Sequence, residues 1–527
     1  MAVTITNPGG NLNSVPSYVQ QALATNYIDF TDTNTAGWAQ QFLPDLMEKE
    51  AEVFGNRTVG GFLEMVGAEE AMTADQVVWS EQGRLHLAYQ GNVQRSSPAG
   101  TFTFAAIKDI DGNAVTGATA AAATANMGLR VGDLVIVSDA DESIKGYISA
   151  VLAPAQTGSP ASGVFFTKYT ITPLTDDGTG LTNVSASNSD VSCSLFVFGS
   201  EYGKGSAGRL SGNKPRFKSF TNQPVILKDM YEISGSDASQ IGWVEVSGED
   251  GQNGYMWYLK AAGDTRMRFT DYCEMTLIEH ELVTTPFTGH AKGSSQSEGH
   301  TASAAATDVA AGTIKGTEGL FAAIRNRGLV YDGLLSTGTA AQVLGDFDTI
   351  LKEFDKQGAI EEYMLFGNRD MMLTIDDMLA GQNSYGSGGT SYGVFDNDED
   401  MALNLGFSGF RRGSYDFYKS DWKYLNDKST RGGLKDGTNH VRGVFIPAGV
   451  TSVYDQTLGR NLKRPFLHVR YRSSQTDDRR FKTWTTGSVG AATSDLDAMH
   501  MHFLTERCLV TQGANNFVLV EGTGTYS

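Results

Sequence analysis

Hydrophobic residues recur at helical spacing over the longest regular stretch of the chain, residues 254–283. Positions three, four or seven apart lie on one side of a helix, so this spacing indicates a helix with one packed face. The residues of that face are Met256, Leu259, Ala262, Phe269, Cys273 and Leu277. The pattern predicts a helix over 254–283 that is about 45 Å long, with Gly263 as a weak point in its interior.

Two shorter helices are predicted further along, each with an end signal. The first has Gly358 as its C-terminal stop, and its packed face comprises Val343, Phe347, Ile350 and Phe354. The second begins at Asn368, a residue type that caps helix N-termini, and has Gly381 past its end. Strand patterns lie between and after these helices, so residues 317–500 are interpreted as mixed α/β. The tail adds two strands, about 498–510 and 516–521.

Alternating apolar positions predict extended segments on both sides of a β-rich region. Leu85, Leu87 and Tyr89 recur at every second position, which is the period of a half-buried strand. A matching extended piece spans 215–233. Between them, residues 98–204 hold β-rich segments separated by turn residues, without an amphipathic helix pattern. We therefore predict a small all-β domain inserted into a long β-hairpin.

The composition narrows the class of protein. Among 527 residues, Lys and Arg total 41 against 60 Asp and Glu, a formal charge of −19. An acidic surface repels nucleic-acid phosphates and anionic lipid headgroups, which argues against a general nucleic-acid or membrane binder. The three cysteines are far apart and odd in number, which is not a disulfide framework. Residues 1–20 lack a signal-peptide pattern, so we expect synthesis in a reducing cytoplasm.

Two motifs resemble nucleophile or metal sites, and each has a simpler interpretation. Cys273 and His280 share a helix face seven residues apart, whereas helical metal pairs are usually four apart. We interpret Cys273 as a buried apolar residue, with His280 near the helix end. Residues 389–393 match G-x-S-x-G around Ser391, but loop-like residues stand where a nucleophile elbow needs a strand and a helix.

Three further motifs contain possible metal ligands. Residues 109–113 resemble part of a calcium loop but are better interpreted as a hairpin turn, because the glycine comes too early. The acidic run 396–400 is interpreted as a solvated turn. His500 and His502 fall on one face of a strand and are interpreted as a solvent-facing pair. No catalytic, cofactor-binding or metal site is assigned, no cofactor is expected, and the chain is not expected to be an enzyme.

Charge is segregated along the chain. Residues 61–81 are acidic without a basic residue, 204–218 are basic without an acidic one, and 460–482 are predominantly basic. Contact with nucleic acid is one interpretation of the basic blocks, but the negative net charge of the chain argues against it. We predict instead that these blocks contact oppositely charged patches on neighbouring subunits.

The order of these elements resembles the major capsid protein of tailed bacteriophages, the Hong Kong 97 capsid fold. The segment "GYMWYLKAAGDTRMRFTDYCEMTLIEHELV" is similar to its spine helix, and residues 7–56 also resemble the start of crAss-like phage capsid proteins. The resemblance implies an α+β fold with five regions. These are an N-terminal arm at 1–60, an extended loop at 61–97 and 205–245, an inserted all-β domain at 98–204, a peripheral domain at 246–330 and 501–527 with the spine helix 254–283, and an axial domain at 331–500.

The resemblance also implies a function. We expect self-assembly into hexamers and pentamers of an icosahedral phage head that encloses double-stranded DNA, which the chain contacts only by non-specific proximity. The implied partners are further copies of the chain and portal, scaffolding and head-decoration proteins, with no membrane. The expected location is the virion, after synthesis in the cytoplasm of a bacterial host.

Candidate inter-subunit contacts come from the arm, the extended loop and the charge blocks. They are Trp38, Phe42, Glu64, Glu69, Glu70, Asp75, Glu81, Arg84, Leu85, Leu87, Tyr89, Arg209, Lys214, Arg216, Phe217 and Lys218. Two alternatives stay open: another virion protein, such as a decoration or tail component, and a hydrolase that uses Ser391 or Cys273.

Overall fold

The structure is a computed structural model, and it describes the chain in segments. The described residues are 61–63, 68–96, 101–140, 142–157, 164–175, 191–209, 212, 217–236, 245–247, 253–282, 316–332, 340–358, 360–382, 409–434, 440–448, 450–455, 460–489 and 492–522. The predicted N-terminal arm, 1–60, lies outside them. The chain divides into two units, one formed by Met1–Trp79 with Phe220–Ser527 and the other by Ser80–Ser219. We call the second the barrel unit and the first the main unit.

The described strands and helices are numbered in chain order. The strands are β1 Ala68–Met72, β2 Val77–Gln82, β3 Ala88–Ser96, β4 Thr101–Asp109, β5 Asp133–Ser138, β6 Ser143–Thr157, β7 Val164–Pro173, β8 Val191–Ser200, β9 Phe217–Asn222, β10 Val225–Ser234, β11 Glu245–Ser247, β12 Asn253–Tyr255, β13 Leu329–Asp332, β14 Glu362–Gly367, β15 Gly409–Arg412, β16 Tyr415–Asp421, β17 His440–Pro447, β18 Val450–Asp455, β19 Arg460–Pro465, β20 Leu467–Arg472, β21 Lys482–Gly487, β22 Ala498–Thr511 and β23 Val518–Gly522. The helices are α1 Ala120–Ala125, α2 Met256–Glu279, α3 Leu320–Arg327, α4 Ala340–Gln357, α5 Arg369–Gln382 and α6 Lys423–Asn426.

The barrel unit is a closed antiparallel barrel with strand order β3-β4-β7-β6-β5-β8. Successive side chains of a strand point to opposite faces, so every second residue enters the barrel. In β4 these are Phe102, Phe104 and Ala106, which are 3%, 0% and 0% exposed. Helix α1 is capped by Thr119, whose side chain accepts a hydrogen bond from the Ala122 N–H. Ring closure removes free strand edges, which makes the inserted segment a unit with its own core.

The barrel takes more of the chain than the predicted insertion at 98–204. Strand β3 precedes that range and pairs with both β4 and β8, so it is needed to close the ring. Tyr89 is therefore only 6% exposed inside the barrel, and Leu87 packs against the same core. Both were expected in the extended loop, where their alternation suggested a half-buried strand. The alternation is present, but the face it buries belongs to the barrel.

One sheet of the main unit has five strands, in the order β1-β20-β22-β10, with β21 also paired to β22. Helix α2 packs on it through Phe269 and Cys273, which contact Phe503 of β22 in a shared apolar cluster. The observed helix, Met256–Glu279, is shorter at both ends than the predicted 254–283. Strand β12 occupies the residues immediately before it.

The second sheet of the main unit has six strands, in the order β13-β23-β17-β14-β16-β15. Helices α4 and α5 cover it. The predicted packed face of α4 is confirmed, because Val343, Phe347, Ile350 and Phe354 are each at most 2% exposed. Gly358 adopts the positive φ of 64° that a helix stop requires.

The predicted start of α5 is also confirmed. The Asn368 side chain accepts a hydrogen bond from the Met371 N–H at 2.9 Å, which satisfies one of the free N–H groups at the helix start.

Strand partners depart from the predicted regions in three places. Strand β10, expected in the extended loop, pairs with β22 over ten residues. Strand β23, expected in the peripheral domain, lies between β13 and β17 in the six-stranded sheet. Strand β20, expected in the axial domain, joins the five-stranded sheet. The expected long hairpin corresponds, among the described residues, to the two-stranded sheet of β2 and β9.

Candidate functional site

The root of the predicted extended loop is fixed to helix α2 by a buried carboxylate. The Glu274 side chain accepts hydrogen bonds from the backbone N–H groups of Gly61 and Leu63, each at 2.7 Å. Glu274 is 8% exposed, and burial raises its pKa, although the hydrogen bonds from the backbone oppose the shift. Between these residues, the Phe62 ring stacks on Trp422 with centroids 4.3 Å apart.

The strand that leads back from the barrel unit is held by a second buried polar residue. Asn222, at the end of β9, is 1% exposed. Its amide nitrogen donates to the Leu509 carbonyl at 2.6 Å and to the Glu318 carbonyl at 3.0 Å. Its amide oxygen accepts from the Thr317 hydroxyl at 3.1 Å and from the Glu318 N–H at 2.8 Å. One side chain thus joins β9, β22 and the start of α3.

A stacked arginine lies beside this junction. The Arg327 guanidinium is 5.5 Å from the Trp79 ring centroid and 4.5 Å from the Phe220 ring centroid, within the range of cation–π attraction. It also pairs with Glu318 at 2.6 Å, and both side chains are mostly buried, at 13% and 12% exposure. Trp79 lies in β2 and Phe220 in β9, so Arg327 fixes both strands to α3.

Three acidic residues of the block 61–81 form ion pairs within the chain. Glu70 lies directly opposite Arg470 in the parallel pairing of β1 with β20, and their charged groups are 2.7 Å apart. Glu69 pairs with Arg480 and approaches Arg507, and Asp75 pairs with Arg472. The expectation was contact with a neighbouring subunit. The structure places basic partners of Glu69, Glu70 and Asp75 in the same chain, because strand pairing brings the two blocks side by side. Contact with a neighbouring subunit stays a prediction.

The other predicted contact residues have varied surroundings. Arg84 pairs with Asp111 at 2.8 Å, and Arg209 pairs with Asp133. Leu85 is 85% exposed, Lys218 is exposed and Glu81 is half-buried. Residues whose side chains lie outside the described part are Trp38, Phe42, Glu64, Lys214, Arg216 and Phe217. Among the predicted contact residues that the structure describes, Leu85 is the apolar one that is largely exposed to solvent.

The structure removes Cys273 as a nucleophile. Its side chain is 2% exposed, and burial raises its pKa to about 11, so the thiol is protonated at neutral pH. The interpretation as a buried apolar residue is confirmed. Nearby, Glu279 accepts hydrogen bonds from the Tyr424 hydroxyl at 2.6 Å and from Arg431 at 2.5 Å. The cluster at the end of α2 is thus a packing junction, while Ser391 lies outside the described residues.

The remaining motifs have structural roles where they are described. Residues 109–113 form the predicted turn, in which the Asp109 carboxylate accepts from the Asn113 N–H at 2.7 Å. The expectation that the two histidines of β22 face solvent was wrong for His500, which is 8% exposed. His502 stacks on Trp484 and contacts the Thr486 hydroxyl at 2.7 Å. The acidic run 396–400 lies outside the described residues.

Two kinds of feature are absent from the described residues. They contain no group of three or more His, Cys, Asp or Glu side chains placed to hold a metal ion. No helix among them is long and apolar enough to cross a bilayer.

Comparisons with known proteins give distant similarities alone. No protein-family model matches the chain, and no curated protein matches it. A solved structure from Microbacterium phage Oxtober96 aligns over 93% of this chain and 99% of that chain, with 8% identity and a TM-score of 0.36. The mature capsid of bacteriophage PhiM1 aligns over 62% and 80%, with 9% identity and a TM-score of 0.30.

A third similar structure is the capsid of the cyanophage P-SCSP1u. It aligns over 62% of this chain and 80% of that chain, with 10% identity and a TM-score of 0.31.

Proposed function

We propose that the chain is the major capsid protein of a tailed bacteriophage of the crAss-like type, with a Hong Kong 97-type fold. In this proposal it assembles into hexamers and pentamers of an icosahedral head that encloses double-stranded DNA. Its partners are other copies and portal, scaffolding and decoration proteins. The chain is synthesised in the cytoplasm of a bacterial host and resides in the virion.

The observation that carries the proposal is the way the loop is built. Segments 61–63 and 77–79 lead into it and 220–222 lead out of it, and all three are anchored by buried polar or stacked contacts at Glu274, Asn222 and Arg327. Strands β2 and β9, which contain the anchored residues Trp79 and Asn222, form a two-stranded sheet, and such a sheet is marginally stable alone. A firmly rooted but thin ribbon is suited to lie on another subunit.

Free strand edges support the same proposal. Within the described residues, β10 ends the five-stranded sheet and β15 ends the six-stranded sheet. An open edge presents unpaired N–H and C=O groups, and covering it is a common reason for assembly. The net charge of −19 also suits a container, since an acidic wall does not hold DNA phosphates tightly.

Electron microscopy of the purified full chain, alone and with the phage's other head proteins, tests the proposal. We expect closed shells. Leu85→Asp, at the 85% exposed position in the loop region, should reduce assembly while leaving the melting temperature of the unassembled chain unchanged. Leu85→Met is the matched control and should assemble normally. A chain that stays monomeric with all head proteins present would overturn the proposal.

A decoration or tail protein is the second candidate, and the closed barrel of Ser80–Ser219 favours it. The copy number per virion separates the two. A shell subunit is expected in hundreds of copies and a tail component in few, as measured by gel densitometry of purified particles.

A further inference from the structure

The outer face of the barrel unit carries a hollow of about 140 Å³. Its lining residues are Asn92, Gln94, Thr103, Ala105, Ile107, Thr116, Val164, Phe166 and Lys168. They come from β3, β4, β7 and the turn that follows β4. None of these residues belongs to the junctions described above, and the hollow is independent of the proposed shell function.

Strand register explains why the hollow forms. Ala105 lies between Asn92 on β3 and Lys168 on β7, so a methyl group stands where its neighbours on both sides have long side chains. In the next cross-strand row, Gln94 lies opposite Thr103. The small side chain of Ala105 forms the floor and the longer side chains form the walls.

The backbone that carries the lining residues is held in place by the barrel. The Val93 and Phe104 side chains beneath the floor are fully buried in the barrel core. At one end, Gly117 exchanges two backbone hydrogen bonds with Phe165, at 2.9 and 2.8 Å, which holds the turn carrying Thr116 against β7. A Cβ at Gly117 would lie 2.4 Å from the Ala123 nitrogen, so only glycine fits there. Binding would therefore require little ordering of the protein.

The chemistry of the lining selects a class of ligand. Lys168 is the single ionisable residue among the nine, and its ammonium lies 5.5 Å from the Phe166 ring centroid. The aromatic ring offers an apolar platform beside a positive charge. Two amides and two hydroxyls supply both donors and acceptors. A ligand that uses all of these groups has a flat apolar face, several hydroxyls and one negative charge.

We infer that the hollow binds a six-membered sugar ring bearing a carboxylate, such as one uronate unit of an acidic polysaccharide. The ring packs on Phe166, its hydroxyls bond to Asn92, Gln94 and Thr103, and its carboxylate pairs with Lys168. Inorganic phosphate suits the site less well, because phosphate sites use clusters of free backbone N–H groups or arginine. Here the strand N–H groups are engaged in the barrel.

Calorimetry and saturation-transfer NMR with the unassembled full chain test this inference. Glucuronate should bind with a Kd on the order of 1 mM, as befits a ligand of this size. Glucose and inorganic phosphate should bind about tenfold more weakly, since each loses part of the charged or apolar contact. The inference would be overturned if glucose and glucuronate bound equally well. It would also be overturned if glucuronate showed no binding at about 20 mM, well above the expected Kd.

Variants locate the site. Lys168→Gln should reduce glucuronate affinity to that of glucose, and Ala105→Leu should abolish both by filling the hollow. Lys145→Gln is the matched control, because Lys145 is an exposed lysine on the adjacent strand β6. Glucuronate binding that survives both Lys168→Gln and Ala105→Leu would refute the assignment. If Ala105→Leu fails to fold, Lys168→Gln alone decides.

Discussion

The Glu274 carboxylate of α2 and the Leu63 N–H meet at 2.7 Å across 211 positions of sequence. A second bond of the same length reaches Gly61. The Leu63 N–H and the carboxylate are both buried, so each depends on the other for its hydrogen bond, whereas Gly61 is exposed. The contact joins the start of the proposed extended loop to the helix that underlies the five-stranded sheet.

Removing this carboxylate should destabilise the main unit. Glu274→Gln keeps one acceptor oxygen and is expected to cost about 1 kcal/mol, whereas Glu274→Ala leaves the buried Leu63 N–H without its acceptor and should cost about 2–3 kcal/mol. Urea denaturation of the unassembled chain measures both. Glu281→Gln is the control, since that side chain is 69% exposed and should change stability little. Equal effects at the two positions would contradict the assignment.

The same residue gives a pH dependence with a defined sign. Burial raises the Glu274 pKa above its ordinary 4.5 in the folded chain, so the folded state binds the proton more tightly than the unfolded state. Its contribution to stability is then complete below the unfolded pKa and declines as pH rises through the folded pKa. The difference in unfolding free energy between wild type and Glu274→Gln should shrink with rising pH. If this free-energy difference instead grew with rising pH, the Glu274 pKa would be lowered in the folded chain, not raised.

The stacked arginine should behave as a buried charge. Arg327→Met leaves Glu318 mostly buried without its partner and is expected to cost about 3 kcal/mol. Arg327→Lys keeps the charge but loses planar stacking on Trp79 and Phe220, at about 1 kcal/mol. Arg411→Met is a matched control, because that side chain is 64% exposed and its carboxylate partner is 3.5 Å away. Denaturation followed by tryptophan fluorescence measures the unfolding free energy of all three variants. An Arg327→Met variant as stable as the wild type would disprove the stabilising role of Arg327.

The pair Glu70–Arg470 offers a test between contacts within the chain and contacts between chains. Glu70→Arg should destabilise the unassembled chain by about 1 kcal/mol, and adding Arg470→Glu should recover most of that loss. Thermal melting of the single and double variants measures the coupling. If Glu70→Arg instead alters assembly and leaves the melting temperature unchanged, the partner of Glu70 is another subunit.

The cysteines should be inert in the folded chain. Burial raises the pKa of Cys193 and Cys273 to about 11 and that of Cys508 to about 12. At pH 8 roughly one thiol in a thousand or fewer is then ionised. A thiol reagent should label none of the 3 cysteines in the native chain and all of them in denaturant. Rapid native labelling of Cys273 would restore the hydrolase hypothesis.

Local patterns in the sequence determined the packed face of α4, the start of α5 and the β-rich character of the insertion. The apolar face of α4, its stop at Gly358 and the cap at Asn368 depend on residues within a few positions of one another, so spacing alone predicts them. The burial of Cys273 follows in the same way from its place on the packed face of α2.

The tertiary structure alone decided which strands are neighbours. Alternation at Tyr89 predicts a strand with one buried face, but it does not say that the face closes a barrel. In the same way, segregated charge in residues 61–81 and 460–482 predicts a pairing but not whether it lies within one chain. Glu274 and Asn222 gave no sequence signal, because the partners that join them to other elements are more than 90 positions away. Strand partners and buried polar contacts are non-local, and only the folded chain brings them together.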